Sequence, residues 1–254
     1  LSGDLADKSD PTQLKRTVAI GAAGAYTIAA ADDAMAMRIA AETASNGTRR
    51  IGHQLQVALE ELNSAKAETL AESYKSARTY IEAALLNERD TLDSILELAT
   101  DKAKVGTFIA TMKRTVDAVV VAHLAALKAH MEGTASNLGT KPVTVVLSDL
   151  EKKAAKMVPR PTAKVRANGY RGYNQLIEQV PKEEKDKYPY AQFGPRDFRG
   201  STAELHCLIN GSHSILDIKK MLDAQSPQKA NLENTMNYIQ VLRLAGLVEI
   251  KTTK

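Results

Sequence analysis

Apolar residues recur at helical spacing through most of the first 138 residues, separated by short polar breaks. Asp10-Pro11 opens the first run, with Asp as N-cap and Pro at the first helical position, where its missing N–H costs nothing. The helix is expected to reach about Ala31, its face carrying Leu14, Val18, Ile20, Ala25 and Ile28. Gly21 and Gly24 lower its propensity, and close approach of another backbone would compensate. Asp32-Asp33 starts a second helix with Met35, Ile39, Ile51, Leu55, Leu59 and Leu62 in phase, interrupted at Ser45-Asn46-Gly47. A third is expected over residues 65–100 and a fourth over 104–132, with Gly133 as its stop. Long helices with short connections imply antiparallel neighbours, hence a helical bundle over residues 11–138.

The texture changes over residues 139–195, which hold six of the eight prolines and four tyrosines, Tyr170, Tyr173, Tyr188 and Tyr190. Residues 143–147 read as a short strand or as the entry to a short helix at 148–157, and the rest as an irregular connector. The tyrosines imply that this stretch lies against something. Residues 196–254 read as a separate unit: a helix capped by Ser201 and ended at Asn210-Gly211, a second capped by Ser214, and a turn at Ser226-Pro227. A third helix stopped by Gly246 and a strand over 247–251 complete it. Three short helices followed by a strand resemble a winged-helix module, a pattern that specifies fold more than function. The expected class is mostly α.

Composition sharpens this. Aromatics are 4% of the chain and Trp is absent, so the core must be aliphatic, which suits helix-on-helix contact. Cys207 is the only cysteine, so neither an intrachain disulfide nor a cysteine-based zinc site can form. The apolar stretch at residues 18–31 is too short to span a membrane and ends in Asp32-Asp33. The net charge of +4 is too small to argue for nucleic acid. The Leu-Ser-Gly-Asp start, without Met or a basic leader, reads as an internal start.

The opening runs Gly3-Asp4-Leu5-Ala6-Asp7-Lys8-Ser9-Asp10-Pro11-Thr12-Gln13-Leu14-Lys15-Arg16, followed by an Ala-rich helix. Over about residues 3–31 it resembles the last turn and closing helix of zinc-dependent aminopeptidases with two co-catalytic metals. The spacing of Asp4, Asp7, Lys8 and Pro11 fits, while Leu5 stands where that family usually has Thr. The resemblance implies that the last metal-binding His falls just before Leu1. The His-x-Asp pair, bridging Asp and Glu-Glu pair would lie further upstream. Residues 1–10 would then end a catalytic domain, and the rest would be a non-catalytic accessory region. The resemblance also implies zinc in that upstream domain rather than in this chain, and an exported, extracytoplasmic parent.

The residues themselves offer weak chemistry. His123 and His130 are seven apart and share a helix face, but no carboxylate completes a site, and His53, His206 and His213 are scattered. They read as surface or satisfied histidines. Cys207 sits in an apolar pattern with Leu205, Leu208 and Ile209 and reads as buried, with neighbouring His206 on another face. Gly21-Ala-Ala-Gly24 lacks the Lys-Ser/Thr of a phosphate loop. The third C-terminal helix offers Asn231, Asn234, Asn237, Gln240 and Arg243, with Glu233 against them. Residues 196–254 hold eight Lys/Arg and six Asp/Glu, so DNA reading is disfavoured against protein contact. Residues 141–171 are the most charge-biased window: Lys141, Lys152, Lys153, Lys156, Arg160, Lys164, Arg166 and Arg171 against Asp149 and Glu151. They read as a solvated helix and linker, or as a cationic strip for an acidic partner.

No catalytic, cofactor-binding or metal-ligating residue is therefore assigned. The expected function is accessory: support of a peptidase domain, its access or its oligomerisation. A stand-alone interaction protein whose winged helix contacts protein is the alternative, and a DNA-binding regulator the weakest. The expected partner is the upstream catalytic domain or another protein, homo-oligomerisation included.

Overall fold

A computed structural model describes residues 10–190, 202–226 and 229–252. Residues 3–9 of the family-like opening, the Ser201 cap, Pro195 and Pro227 lie outside them. The chain is mostly helical. Four long helices come first, α1 (Pro11–Ala30), α2 (Asp33–Asn63), α3 (Leu70–Ser94) and α4 (Lys102–Asn137), with a 3-10 turn at Ile95–Leu98 after α3. Short elements follow: α5 (Asp149–Ala155), β1 (Met157–Pro161), α6 (Ala163–Asn168), α7 (Tyr173–Glu178) and α8 (Lys182–Lys185). The chain closes with α9 (Thr202–Leu208), α10 (Ile215–Gln225), α11 (Leu232–Leu244) and β2 (Val248–Thr252).

Two compact units emerge, Leu1–Thr48 with Glu88–Asp117, and Arg49–Asn87 with Ala118–Lys254. The division does not follow the expected boundary at residue 138, because α2, α3 and α4 each lend residues to both units.

In the first unit, Asp10 caps α1 by accepting from Thr12 N–H at 2.8 Å, as the Asp-Pro pair predicts. No residue of α1 is buried. The close backbone expected at Gly21 and Gly24 is not there, since a Cβ added at either would meet nothing within 4 Å. The expected interruption at 45–47 is also corrected, because α2 runs through it. Gly47 serves instead to let Glu88 of α3 come close; a Cβ at 47 would lie 2.7 Å from Glu88 Oε2. Ala36, Ala40, Leu92, Ile95, Val105 and Ile109 are buried here. Asp33 Oδ1 accepts from the N–H groups of Thr100 and Asp101 at 2.9 and 3.0 Å, tying the start of α2 to the turn before α4. Arg89 meets Asp117 at 2.8 Å, and Lys113 pairs with Asp93.

In the second unit, α4 passes through Gly133 and stops only after Asn137, where Gly139 takes φ 65. One mid-helix glycine costs only about 1 kcal/mol in propensity, which a covered helix tolerates. The stop needs positive φ, which Gly139 supplies. Residues 143–147 form no strand. They lead into α5, whose Ser148 and Glu151 make a reciprocal capping box. The short helix read at 148–157 is α5, whereas the rest of the stretch, expected to be irregular, carries β1, α6, α7 and α8.

β1 pairs antiparallel with β2, with Pro159 opposite Ile250. Its prolines are tolerated because the Pro159 carbonyl faces away from β2, accepting from Gly211 N–H at 3.1 Å. The N–H groups missing at 159 and 161 fall on that same outer side, where no ladder bond is lost. Gly211 has φ 88 and would place a Cβ 3.1 Å from that of Arg160, so glycine is needed for both conformation and space.

A single apolar cluster joins Ala154 and Met157 with Ile177 of α7, Leu205 of α9, Ile215 and Ile218 of α10, Ile239 and Leu242 of α11, and Val248 of β2. Tyr170, Tyr173, Tyr188 and Tyr190 lie partly buried against it. The Ser214 cap is as expected, with Asp217 completing a capping box on α10. Gly246, at φ 70, follows α11.

Candidate functional site

Three side-chain groupings in the second unit could carry chemistry. The first is a groove of about 460 Å³ lined by Lys153, Lys156, Met157, Tyr188, Gln240, Arg243, Ile250 and Thr252. α5 supplies Lys153 just before its end, and Lys156 follows it. Met157 opens β1, while Ile250 and Thr252 stand two apart on β2 and so share a face. Gln240 and Arg243 are one turn apart on α11, and Arg243 Nε donates to Gln240 Oε1 at 2.8 Å. Among the described residues no carboxylate lines the groove. Two residues of the basic window thus meet the one arginine of the third C-terminal helix.

The rest of that window is dispersed. Lys152 pairs with Asp149 at 2.9 Å. Arg160 Nε donates to Glu249 across the strands at 2.8 Å. Arg166 donates to the Pro161 carbonyl at 2.7 Å. No continuous cationic strip forms from 141 to 171.

The second grouping is an ion-pair cluster around a hollow of about 260 Å³ lined by α3, α5 and α10. Lys75 meets Glu151 at 2.7 Å, and Glu82 is shared by Arg78 at 2.7 Å and Lys220 at 2.8 Å. Lys219 pairs with Asp223, whose other oxygen accepts from Ala230 N–H at 2.7 Å. Burial disfavours the Glu82 carboxylate, but Lys220 and Arg78 outweigh it and hold the pKa below the usual range. Burial likewise works against Glu151, and Lys75 with the Ser148 N–H outweighs it. Each carboxylate is engaged by these partners, so the cluster reads as a clamp between helices rather than a ligand site.

The third is a buried histidine among tyrosines. His206 on α9 is buried and shares a 2.9 Å hydrogen bond with the Tyr238 hydroxyl of α11. Its ring stacks on Tyr170 at 4.0 Å between centroids and meets the edge of Tyr173 at 4.9 Å. Burial pushes the imidazole down to about 4, so it is neutral at physiological pH. The Tyr170 hydroxyl is buried with no partner among the described residues, and burial pushes it up to about 12.

No family model, curated protein or solved structure matches the chain.

The sequence-derived candidates fall out as follows. Cys207 is exposed, a correction to its expected burial; α9 turns Leu205 and His206 to the core instead, and Ile209 just after it is buried too. His206 and Cys207 do point differently, as adjacent helical positions must. His130 bonds to Asn63 Oδ1 at 2.8 Å, and His53 is exposed. Among the described residues no group of three or more His, Cys, Asp or Glu could hold a metal ion. On α11, Asn231 is spent as N-cap, and Asn237 Nδ2 donates to the Pro189 carbonyl at 2.7 Å. The Pro189 carbonyl thus engages one of the polar side chains that α11 offers. Among the described residues no helix is long and apolar enough to cross a membrane.

Proposed function

We propose that this chain is a non-catalytic accessory region that seats α1 on a partner protein. One observation carries the reading: α1 leaves Leu14, Val18, Ile20, Tyr26 and Ile28 between 54% and 74% exposed. Leu14, Val18, Gly21, Ala25 and Ile28 fall at i, i+4, i+7, i+11 and i+14, one continuous stripe. A 20-residue helix with two internal glycines and no covered side chain is marginal in water. Such a stripe gains its stability from a surface that covers it.

The resemblance of residues 3–31 to the closing helix of two-metal aminopeptidases supports a specific partner, the catalytic domain of such a peptidase. Its zinc and its hydrolytic water would belong to that domain. The rest of the chain would support that domain, its access or its oligomerisation. α9, α10, α11 and β2 form the winged-helix-like part, which we assign to protein contact because Pro189 and the N-cap role occupy two asparagines of its third helix.

The test is solution behaviour of the 254-residue chain. It should self-associate or bind an apolar dye, and combined Leu14→Ser, Val18→Ser and Ile28→Ser should abolish both. A monomeric, dye-silent wild-type chain would overturn the reading. The peptidase assignment is tested separately in the intact gene product: a His directly before Leu1, with His-x-Asp and Glu-Glu further upstream, is expected. Their absence there removes the peptidase and leaves the docking role of α1 standing.

A further inference from the structure

We infer that residues 143–147 form an open strand edge that binds an extended segment of a partner protein, β-branched and ending in an acidic residue. Over residues 140–148 the backbone runs without turn or bend. Val143, Val145 and Leu147 are half-buried while Thr144 and Val146 are exposed, the alternation of a strand covered on one face. The residue types agree, since Val and Thr favour that conformation. Yet the segment pairs with no strand among the described residues.

Its inner face is held in place. Leu147 packs against the apolar cluster, and Val145 and Leu147 line the ion-pair hollow beside Leu216. An incoming chain therefore meets a preformed edge, with no ordering left to do on this side. Val143 N–H donates to Met131 Sδ of α4 at 3.3 Å. Along a strand the backbone groups of successive residues point to opposite edges. Val145 and Leu147 thus share the α4 side, and Thr144 and Val146 turn their N–H and C=O groups to the other. Those four groups form no hydrogen bond among the described residues. Buried backbone groups are almost always paired, so this unpaired row is open to water and to a strand.

The flanks specify the occupant. Lys141 is exposed at one end of the edge, and Asp149 at the other. An acid on the incoming strand is favoured opposite Lys141 and repelled opposite Asp149. Antiparallel pairing, the more stable form per residue, puts that acid at the C-terminal end of the occupant. A second copy of the segment fits less well. In a symmetric pair centred on Val145, Lys141 would face Asp149 of the other copy, whose carboxylate Lys152 already takes at 2.9 Å. Pro142 would face Ser148, the one without an N–H and the other with its N–H held by Glu151 at 2.8 Å. A helix fits less well too, because it satisfies its own backbone and would leave the edge unpaired.

α1 belongs to the other unit, and nothing at the edge depends on what covers it. The experiment is fluorescence anisotropy of a labelled peptide of alternating Val and Thr ending in Glu, titrated with the full chain, followed by hydrogen exchange of the complex. The peptide should bind, and the Thr144 and Val146 amides, fast in the free chain, should slow about tenfold or more. Val146→Pro removes one edge donor while suiting an extended backbone, and should weaken binding about tenfold or more. Val146→Thr keeps the donor and should stay within about twofold of wild type. The Val146 side chain is 72% exposed, so neither change disturbs the core, and an unchanged far-UV spectrum checks this. Lys141→Glu should weaken binding of the Glu-ended peptide and not of one ending in Lys. The inference is overturned if the peptide does not bind, if Val146→Pro and Val146→Thr affect it equally, or if Lys141→Glu treats the two peptides alike. Thr144 and Val146 amides already protected in the free, dilute chain would overturn it too. Protection that rises with chain concentration alone, in the serine variant of the α1 stripe, would give the edge to a second copy and not to a partner. That serine variant should leave peptide affinity unchanged, so the two proposals fail separately.

Discussion

Both α1 and α11 are opened by a side-chain cap and carry apolar residues at helical spacing, yet α11 buries seven of its 13 residues and α1 none of its 20. Asp10 accepts from Thr12 N–H at 2.8 Å and Asn231 from Asn234 N–H at 2.9 Å, so the two N-termini are comparably satisfied. The difference lies in what the chain provides to cover each. Around α11 stand α5, α7, α10 and β2, all contributing to one apolar cluster. Spacing and caps specify that a helix forms; they do not specify that this polypeptide supplies the surface that stabilises it.

The largest test of that contrast is truncation of equivalent side chains. Ile239 of α11 is fully buried, so Ile239→Ala should cost about 2–5 kcal/mol. Ile20 of α1 is 74% exposed, so Ile20→Ala should stay within about 0.5 kcal/mol. Urea unfolding followed by far-UV circular dichroism reads both, since the chain has no Trp to report. Measured at a dilution where the chain is monomeric, equal losses would mean that the chain itself covers α1 and would end the comparison.

Acid provides a second probe, because His206 is bonded to α11 through Tyr238 while no titratable group of α1 is buried. The imidazole falls from 6.5 to about 4 on folding, so the unfolded chain takes up a proton before the folded one does. Its stabilisation is whole above pH ~6.5 and is lost as pH falls towards 4, up to about 3 kcal/mol in all. Glu82 and Glu151 have depressed values, so their contribution is present above their unfolded pKa and goes only at lower pH. His206→Phe should flatten the urea midpoint between pH 6.5 and 4.5 and leave the steeper loss below it. A wild-type midpoint that does not move between pH 7 and 5 would show that His206 is not buried neutral.

What the sequence made legible follows the range of the physics involved. Caps and spacing are local, and Asp10, Ser214 and Gly246 behave as read. β1 was missed because two prolines in five residues argue against a strand, and only the pairing with residues some ninety positions away shows that their missing donors face outward. Cys207 was misplaced because it and His206 are adjacent, and only the tyrosines brought by α11 and residues 170–173 decide which of them turns inward. Likewise Lys153 and Arg243 look unrelated in sequence until the sheet and α11 place them on one groove. The basic window was visible, but its division into paired residues and groove residues rests on long-range partners such as Glu249.

The caps themselves allow a finer comparison. Asn231→Ala should lower global stability by about 1 kcal/mol, because α11 unfolds with its cluster. Asp10→Ala removes an equivalent bond, yet α1 is not coupled to any buried side chain of its own. It should reduce helical signal at low urea while leaving the cooperative midpoint in place. A shift of that midpoint by Asp10→Ala similar to that of Asn231→Ala would contradict the uncoupled reading.

The smallest effect on global stability, and the most discriminating, is expected at the glycines of α1. Gly21→Ala and Gly24→Ala each add a methyl to open space and remove about 1 kcal/mol of helix penalty. In the isolated chain this gain should appear as more helical signal on warming, with the urea midpoint moved by less than about 0.5 kcal/mol. Gly21 sits mid-stripe between Val18 and Ala25, where a partner's backbone would come closest. If that approach is what the glycine serves, Gly21→Ala should improve the helix and weaken the association of α1 with whatever covers it. A Gly21→Ala chain that gains helix and self-associates or docks as well as wild type would show that the stripe is covered by side chains at ordinary distance, with the glycine serving no close contact.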